Sequence, residues 1–255
     1  MRSVRSVTLA RIMRCGNFEF RPSLVPTLVV LVLLPVLLAL GIWQLERAAF
    51  KRTLAESFAA GERAAIMTLE TDRMPPRYAR VRVQGQYDTA RQFLIDNMVV
   101  DGRAGYYVLT PLKRAGGAAV LVNRGWVPLG ETRAHIPDVT VGGEERSVTG
   151  RVDLLARPGL KLGGEIAGGA SWPRVVAYPE IEALARELGY PLEPFILLLD
   201  AGEPDGYRRE WRPAGFGPER HLAYALQWFA LAAALAVIYL VVNVRRHTPS
   251  NEEQR

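Results

Sequence analysis

The sequence is poor in the residues that build most small-domain chemistry. Among 255 residues there is one cysteine, Cys15, and three histidines, His135, His221 and His247. A single thiol excludes an internal disulfide. The absence of cysteine from residues 46–220 excludes a Cys-ligated zinc, copper or iron–sulfur centre there. Lysine is nearly missing too: of 32 basic residues only Lys51, Lys113 and Lys161 are lysines. That bias, with abundant Ala and Gly, fits a G+C-rich bacterial genome. Catalytic signatures are absent as well. Residues 46–220 hold no HExxH, no GxSxG and no phosphate-binding Gly-rich loop, and their only serines are Ser57, Ser147 and Ser171. Asp96, Asp101 and Asp153 are spaced like turn and surface carboxylates. The expectation is a protein that is not an enzyme.

The net charge of +6 says little about partners, because most of it lies at the N-terminus. Residues 1–22 carry Arg2, Arg5, Arg11, Arg14 and Arg21 against Glu19, whereas residues 46–220 hold 24 basic and 23 acidic residues. No basic stripe marks a nucleic-acid interface.

What is present is a pair of long apolar runs. Leu222–Val244 contains no charged residue or histidine over 23 positions, and residues 24–40 hold thirteen Leu or Val. At about 1.5 Å per residue, Leu222–Val244 and the apolar run of residues 22–45 are each long enough to cross a hydrocarbon core of roughly 30 Å. Pro35 lies within the first run and is expected to kink it. The first run is longer than the apolar part of a signal peptide and leads into "GIWQLERAAFKR" without a small-residue cleavage site, so a retained anchor is expected. The expected layout is a cytoplasmic tail at 1–22, a span at 23–45, a periplasmic domain at 46–220, a span at 221–244 and a cytoplasmic tail at 245–255. The positive N-terminal tail favours that orientation, although Arg47, Lys51 and Arg52 work against it.

Residues 46–220 suffice for one core. After a helix that continues from the first span, with Leu45, Ala49, Leu54 and Phe58 as its apolar stripe, strand patterns dominate. "YARVRVQGQY" alternates, with Val81 and Val83 on one face. "QFLIDNMVVDGRAGYYVLTPL" reads as two strands about an Asp101-Gly102 turn, and "AAVLVNRGWVPL" as a strand ending at Pro128. "RSVTGRVDLL" is a further strand, "KLGGEIAGGA" a Gly-rich loop, residues 179–189 a helix closed by Gly, and "PFILLLD" a buried strand. The fold class is α+β: two transmembrane helices flank a β-rich extracytoplasmic domain, a partly closed antiparallel sheet or barrel.

At the edge of the second span, His221, Tyr224 and Trp228 stand at i, i+3 and i+7, within about 60° of one another on a helix. Ala225 and Ala232 share that side. An imidazole, aromatic surface and small residues are what a ligated macrocycle needs. The same residues also suit a plain membrane interface, where Tyr and Trp collect and alanines permit close helix packing. Trp43 and Gln44 close the first span at the same level if the spans form a hairpin. Spacing alone leaves both readings open.

The ordered set "LGIWQLERAAFKRTL", "GYYVLTPL", "VLVNRGWVP" and "HLAYALQWFALA" resembles the Surfeit-locus (Surf-one) family of cytochrome c oxidase assembly proteins over residues 24–244. The resemblance implies a multi-pass protein of the bacterial inner membrane that assists maturation of the haem-copper oxidase. Implied with it are transient haem a binding, His221 as the haem-iron ligand, and the main oxidase subunit as partner, with haem a synthase as a candidate donor. Tyr224 and Trp228 would form one wall of that site and Trp43 and Gln44 the other. Arg124, in the "RGW" match, would engage a propionate or a partner carboxylate. The rival expectation is a scaffold that stabilises an oxidase subunit by protein contact alone.

Overall fold

An uncharged Leu/Val run followed by Ala, Glu, Arg and Leu contains good helix formers throughout. In the computed structural model it forms one helix, α1 (Leu24–Arg63), which continues through Pro35. The structure describes residues 13–15, 18–69, 74–130, 132–133, 135–155, 166–167, 171–213 and 215–246. Short strands β1 (Met13–Cys15) and β2 (Phe18–Phe20) precede α1. After it come β3 (Met67–Thr68), β4 (Arg80–Tyr87), β5 (Phe93–Val100), β6 (Arg103–Lys113), β7 (Ala119–Pro128) and β8 (Glu145–Asp153). Then follow β9 (Ile166–Ala167), β10 (Arg174–Val176), α2 (Ile181–Leu188), β11 (Leu192–Leu199), α3 (Pro218–Asn243) and β12 (Val244–Arg246). Apart from β9, the Gly-rich segment 161–170 lies outside the described residues, as do residues 1–12 and 247–255.

The chain divides into two compact units: residues 1–55 with 214–255, and residues 56–213. In the first unit α1 and α3 are both long and apolar enough to cross a membrane. Only 6% and 11% of their most apolar stretches are buried within the protein, so the protein itself does not cover them. Between the described parts of the two tails, β1, β2 and β12 form a three-stranded antiparallel sheet. Next to it, the buried Asn243 accepts the Ser23 N–H on Oδ1 at 2.8 Å and the Arg21 N–H on its backbone carbonyl at 2.8 Å. Its amide donates to the Tyr239 carbonyl, and the Tyr239 and Thr27 hydroxyls lie 2.9 Å apart. A polar residue in an apolar run needs partners, and here each has them.

The apolar stripe expected on α1 is displaced. Ala48 and Gly41 are buried, Gln44 is half-buried, and Leu45 and Ala49 are exposed, although Leu54 and Phe58 are partly covered as expected. The helix buries its small residues and turns its larger ones outward, which is the arrangement of helices that pair in an apolar solvent.

The second unit is built on nine strands in the order β3-β4-β8-β11-β7-β6-β5-β10-β9. Asp101 and Gly102 both have positive φ, 48° and 73°, which makes the tight turn of the β5–β6 hairpin. Period-two alternation assigns residues to opposite faces. Phe195, Leu197 and Leu199 of β11 join Val81, Val83, Val120, Val122 and Val152 in one core, while Ile196 and Leu198 join Leu109, Leu121, Leu184 and Leu188 in another. α2 covers that second face with Leu184 and Leu188, worth about 1.5–3 kcal/mol each. Gly189, at φ 77°, ends it and donates to the Ala185 carbonyl.

The expectation of a partly closed antiparallel sheet or barrel is corrected on strand direction and on the barrel. The sheet is mixed, since β3–β4, β7–β11 and β5–β10 pair in parallel. It curls back through a two-residue β4–β6 contact, Gln86 opposite Lys113 and Tyr87 opposite Leu112, and is not a clear barrel.

A buried carboxylate ties the sheet to α2. Asp88 accepts from the Tyr190 hydroxyl (2.8 Å), Lys113 (2.9 Å) and Arg91 (3.0 Å), while Arg91 also donates to the Leu188 carbonyl. Burial works to raise the Asp88 pKa, but the bonds from Lys113 and Tyr190 and the nearby positive charges outweigh it and hold the pKa below its ordinary value. A lowered carboxylate pKa stabilises the fold above the unfolded value of about 4, and that contribution is lost as pH falls through the folded one. Urea unfolding at pH 6 and pH 3 should therefore show a smaller acid loss in Asp88→Asn than in the native chain. Equal losses would remove Asp88 from the acid response.

Candidate functional site

A glycine three residues before a glutamine puts a gap and an amide on nearly one side of α1. α3 fills the gap: a methyl group on Gly41 would stand 2.6 Å from the Phe229 ring. With the helices that close, Gln44 Oε1 lies 2.8 Å from His221 Nδ1, joining residues 177 apart in sequence. Both side chains are half-buried, and no described residue bonds Nε2. Ala225 and Ala232 are 2% and 4% exposed, so the alanine face is covered by protein.

The expected walls are therefore distributed differently. Trp228 is half-buried on the His221 side. Tyr224 and Trp43 are 50% and 54% exposed. Successive residues of a helix are separated by about 100°, which is why Trp43 does not share the face of Gln44. The structure brings His221 and Gln44 together, keeps Trp228 beside them, and presents Tyr224 and Trp43 outward. Two guanidiniums belong to the same end of the helix pair: Arg47 lies 5.2 Å from the Phe50 ring centre and Arg220 4.0 Å from that of Phe216.

Arg124 is elsewhere and occupied. It is 1% exposed, in the interior of the sheet unit. Nε donates to the Asp205 carbonyl at 2.8 Å, Nη1 to the Val139 carbonyl at 3.0 Å and Gln92 Oε1 at 3.2 Å, and Nη2 to the Tyr207 hydroxyl at 3.1 Å. The rings of Tyr207 and Tyr87 flank it at 5.0 and 5.9 Å. Its planar fork is satisfied by the fold, which leaves no face for a propionate or a partner carboxylate. The rest of the "RGW" segment is structural in the same way. Gly125 has φ 115°, and the chain at 207–208 lies against it, bonded through Tyr207 N to Arg124 O (2.7 Å) and Trp126 N to Arg208 O (2.8 Å). Trp126 donates its indole N–H to the Met98 carbonyl at 2.9 Å.

Sequence reading missed Phe229 and the Asn243 clamp. Asn243 carried a signal, since a lone amide in an apolar run calls for a partner; Phe229, one apolar residue among many, carried none. Among the described residues, no three His, Cys, Asp or Glu side chains gather into a metal site.

Two apolar helices joined by a His–Gln hydrogen bond, with a mixed-sheet unit inserted between them in sequence, define a sheet protein flanked by two long apolar helices. The sequence profile of the SURF1 family matches residues 31–233. The chain belongs to the SURF1 family. It is similar to a SURF1-like protein of Rickettsia felis, 25% identical over 84% of this chain and 95% of that one. Surfeit locus protein 1 of Xenopus tropicalis is 26% identical over 85% of this chain and 75% of its own length. The Homo sapiens protein of that name is 28% identical over 82% and 75% respectively.

Proposed function

We propose that the chain is a non-enzymatic assembly factor of a bacterial inner membrane. It would hold haem a transiently and assist its insertion into the main subunit of a haem-copper cytochrome c oxidase. α1 and α3 span the bilayer, the sheet unit is periplasmic and both tails are cytoplasmic. The observation that carries this reading is the imidazole of His221, oriented by Gln44 and with no partner on Nε2 among the described residues. Bound haem supplies an iron that takes an axial nitrogen.

The residues present fit such a group. His221 offers the nitrogen, Trp228 and Tyr224 offer ring surface, and Arg47 and Arg220 offer cations for propionates. Because the alanine face is buried, the ligand would lie on the outside of the helix pair. A cofactor held there by one protein ligand is open to a neighbouring membrane protein on the side from which it must leave. The donor would be haem a synthase and the acceptor the oxidase subunit.

The test is the visible spectrum of the chain purified from membranes that make haem a. The native protein should carry a haem band that His221→Ala loses or shifts, with membrane insertion unchanged. Equal spectra would put any haem elsewhere. A native protein free of haem, crosslinking to the oxidase subunit through residues 56–213, would favour the scaffold reading.

A further inference from the structure

The Gln44–His221 hydrogen bond has a direction. A neutral imidazole carries one N–H, and the amide atom facing Nδ1 is the carbonyl oxygen Oε1, at 2.8 Å. A carbonyl oxygen only accepts, so the proton of this pair sits on Nδ1. The second ring nitrogen then bears a lone pair. Free histidine side chains favour the opposite tautomer, with the proton on Nε2, so the arrangement has to be imposed by a neighbour. We propose that Gln44 is the positioning residue of this site: it fixes His221 as the Nδ1–H tautomer and turns the Nε2 lone pair toward the outside of the helix pair, ready for a Lewis-acidic metal centre.

Three observations support the assignment. No described residue accepts a hydrogen bond from Nε2, so no competing bond holds the other tautomer. Gln44 itself is held in place: Gly41, one turn before it, lies against Phe229 of α3, and Ala48, one turn after it, is buried. A half-buried imidazole kept only for structure would gain from a second partner, whereas a ligand requires that nitrogen to be vacant. Bonding of a ligating histidine through its other N–H fixes ring orientation and raises its basicity, and loss of such a partner costs about 10–100-fold in metal affinity.

The tautomer assignment stands on geometry alone; only the identity of the metal centre as haem iron rests on the proposed function. The experiment is nitrogen NMR of the full chain in lipid nanodiscs, labelled with 15N-histidine. With three histidines in the sequence, His221→Gln assigns the signal. In its neutral form His221 should show a protonated Nδ1 and an unprotonated Nε2. Gln44→Leu should remove the Nδ1–H signal and weaken haem a binding about 10–100-fold. Gln44→Glu keeps an acceptor and should preserve both. A native His221 protonated on Nε2 overturns the proposal whether or not haem binds. A native Nδ1–H tautomer in a chain that never takes up haem a upholds the positioning role and removes the haem reading.

Discussion

Replacing Arg124 with alanine is expected to cost the sheet unit about 3–5 kcal/mol, a large share of the 5–15 kcal/mol that holds a typical domain together. The guanidinium is the hub of a polar interior. Its loss removes the partner of the Asp205 and Val139 carbonyls and of the Tyr207 hydroxyl, leaves Gln92 Oε1 with the Thr110 hydroxyl alone, and opens a void between two tyrosine rings. Each orphaned buried polar group costs about 1–3 kcal/mol, only part of which water entering the void recovers. Arg124→Lys keeps the charge but not the fork, so it should recover less than half of the loss. Urea unfolding of the purified full chain, followed by tryptophan fluorescence, measures both. A loss below about 1 kcal/mol for Arg124→Ala, with altered ligand binding, would show that the residue serves a ligand after all.

Gly125→Ala is expected to act on the same joint through the backbone. A methyl group there would stand 2.8 Å from the Arg208 carbonyl oxygen and 2.9 Å from the Tyr207 carbonyl carbon, on a residue with φ 115°. A side chain in that region of φ costs about 1–3 kcal/mol before any clash, and backbone cannot yield as a side-chain tip can. We expect a total of about 2–4 kcal/mol, seen as faster proteolysis within residues 201–213, where the strand-like contact with β7 would open. Unchanged proteolysis and stability would mean that the 207–208 segment does not need this approach.

Much of the architecture was legible because its signals are local. The Asp101-Gly102 turn, the alternation of β4 and the closing Gly189 each lie within a few residues of what they determine. Parallel pairing of β7 with β11 was not legible, since no local pattern states which distant strand a buried run will choose. The stripe on α1 was misread for a different reason. The expectation of large apolar residues facing inward presumes water outside; on α1 the inward residues are Gly41, Gln44 and Ala48. Of the site, the meeting of Gln44 and His221 was foreseeable from a hairpin. The outward turn of Trp43 follows from the 100° step between neighbouring helix residues, whereas the enclosure of Arg124 depended on packing that spacing does not encode.

The distance of 177 residues between Gln44 and His221 has a consequence for how the chain is made. At about 5–20 residues per second, the ribosome completes the first helix roughly 10–35 seconds before the histidine exists. On the membrane reading, α1 must stay in the bilayer through that interval with no helical neighbour, its Gln44 amide still without the imidazole. Thirteen Leu or Val in residues 24–40 make it able to do so alone. The later helix enters beside a helix already in place, so Tyr239 and Asn243 meet the Thr27 hydroxyl and the Ser23 N–H, which were made first.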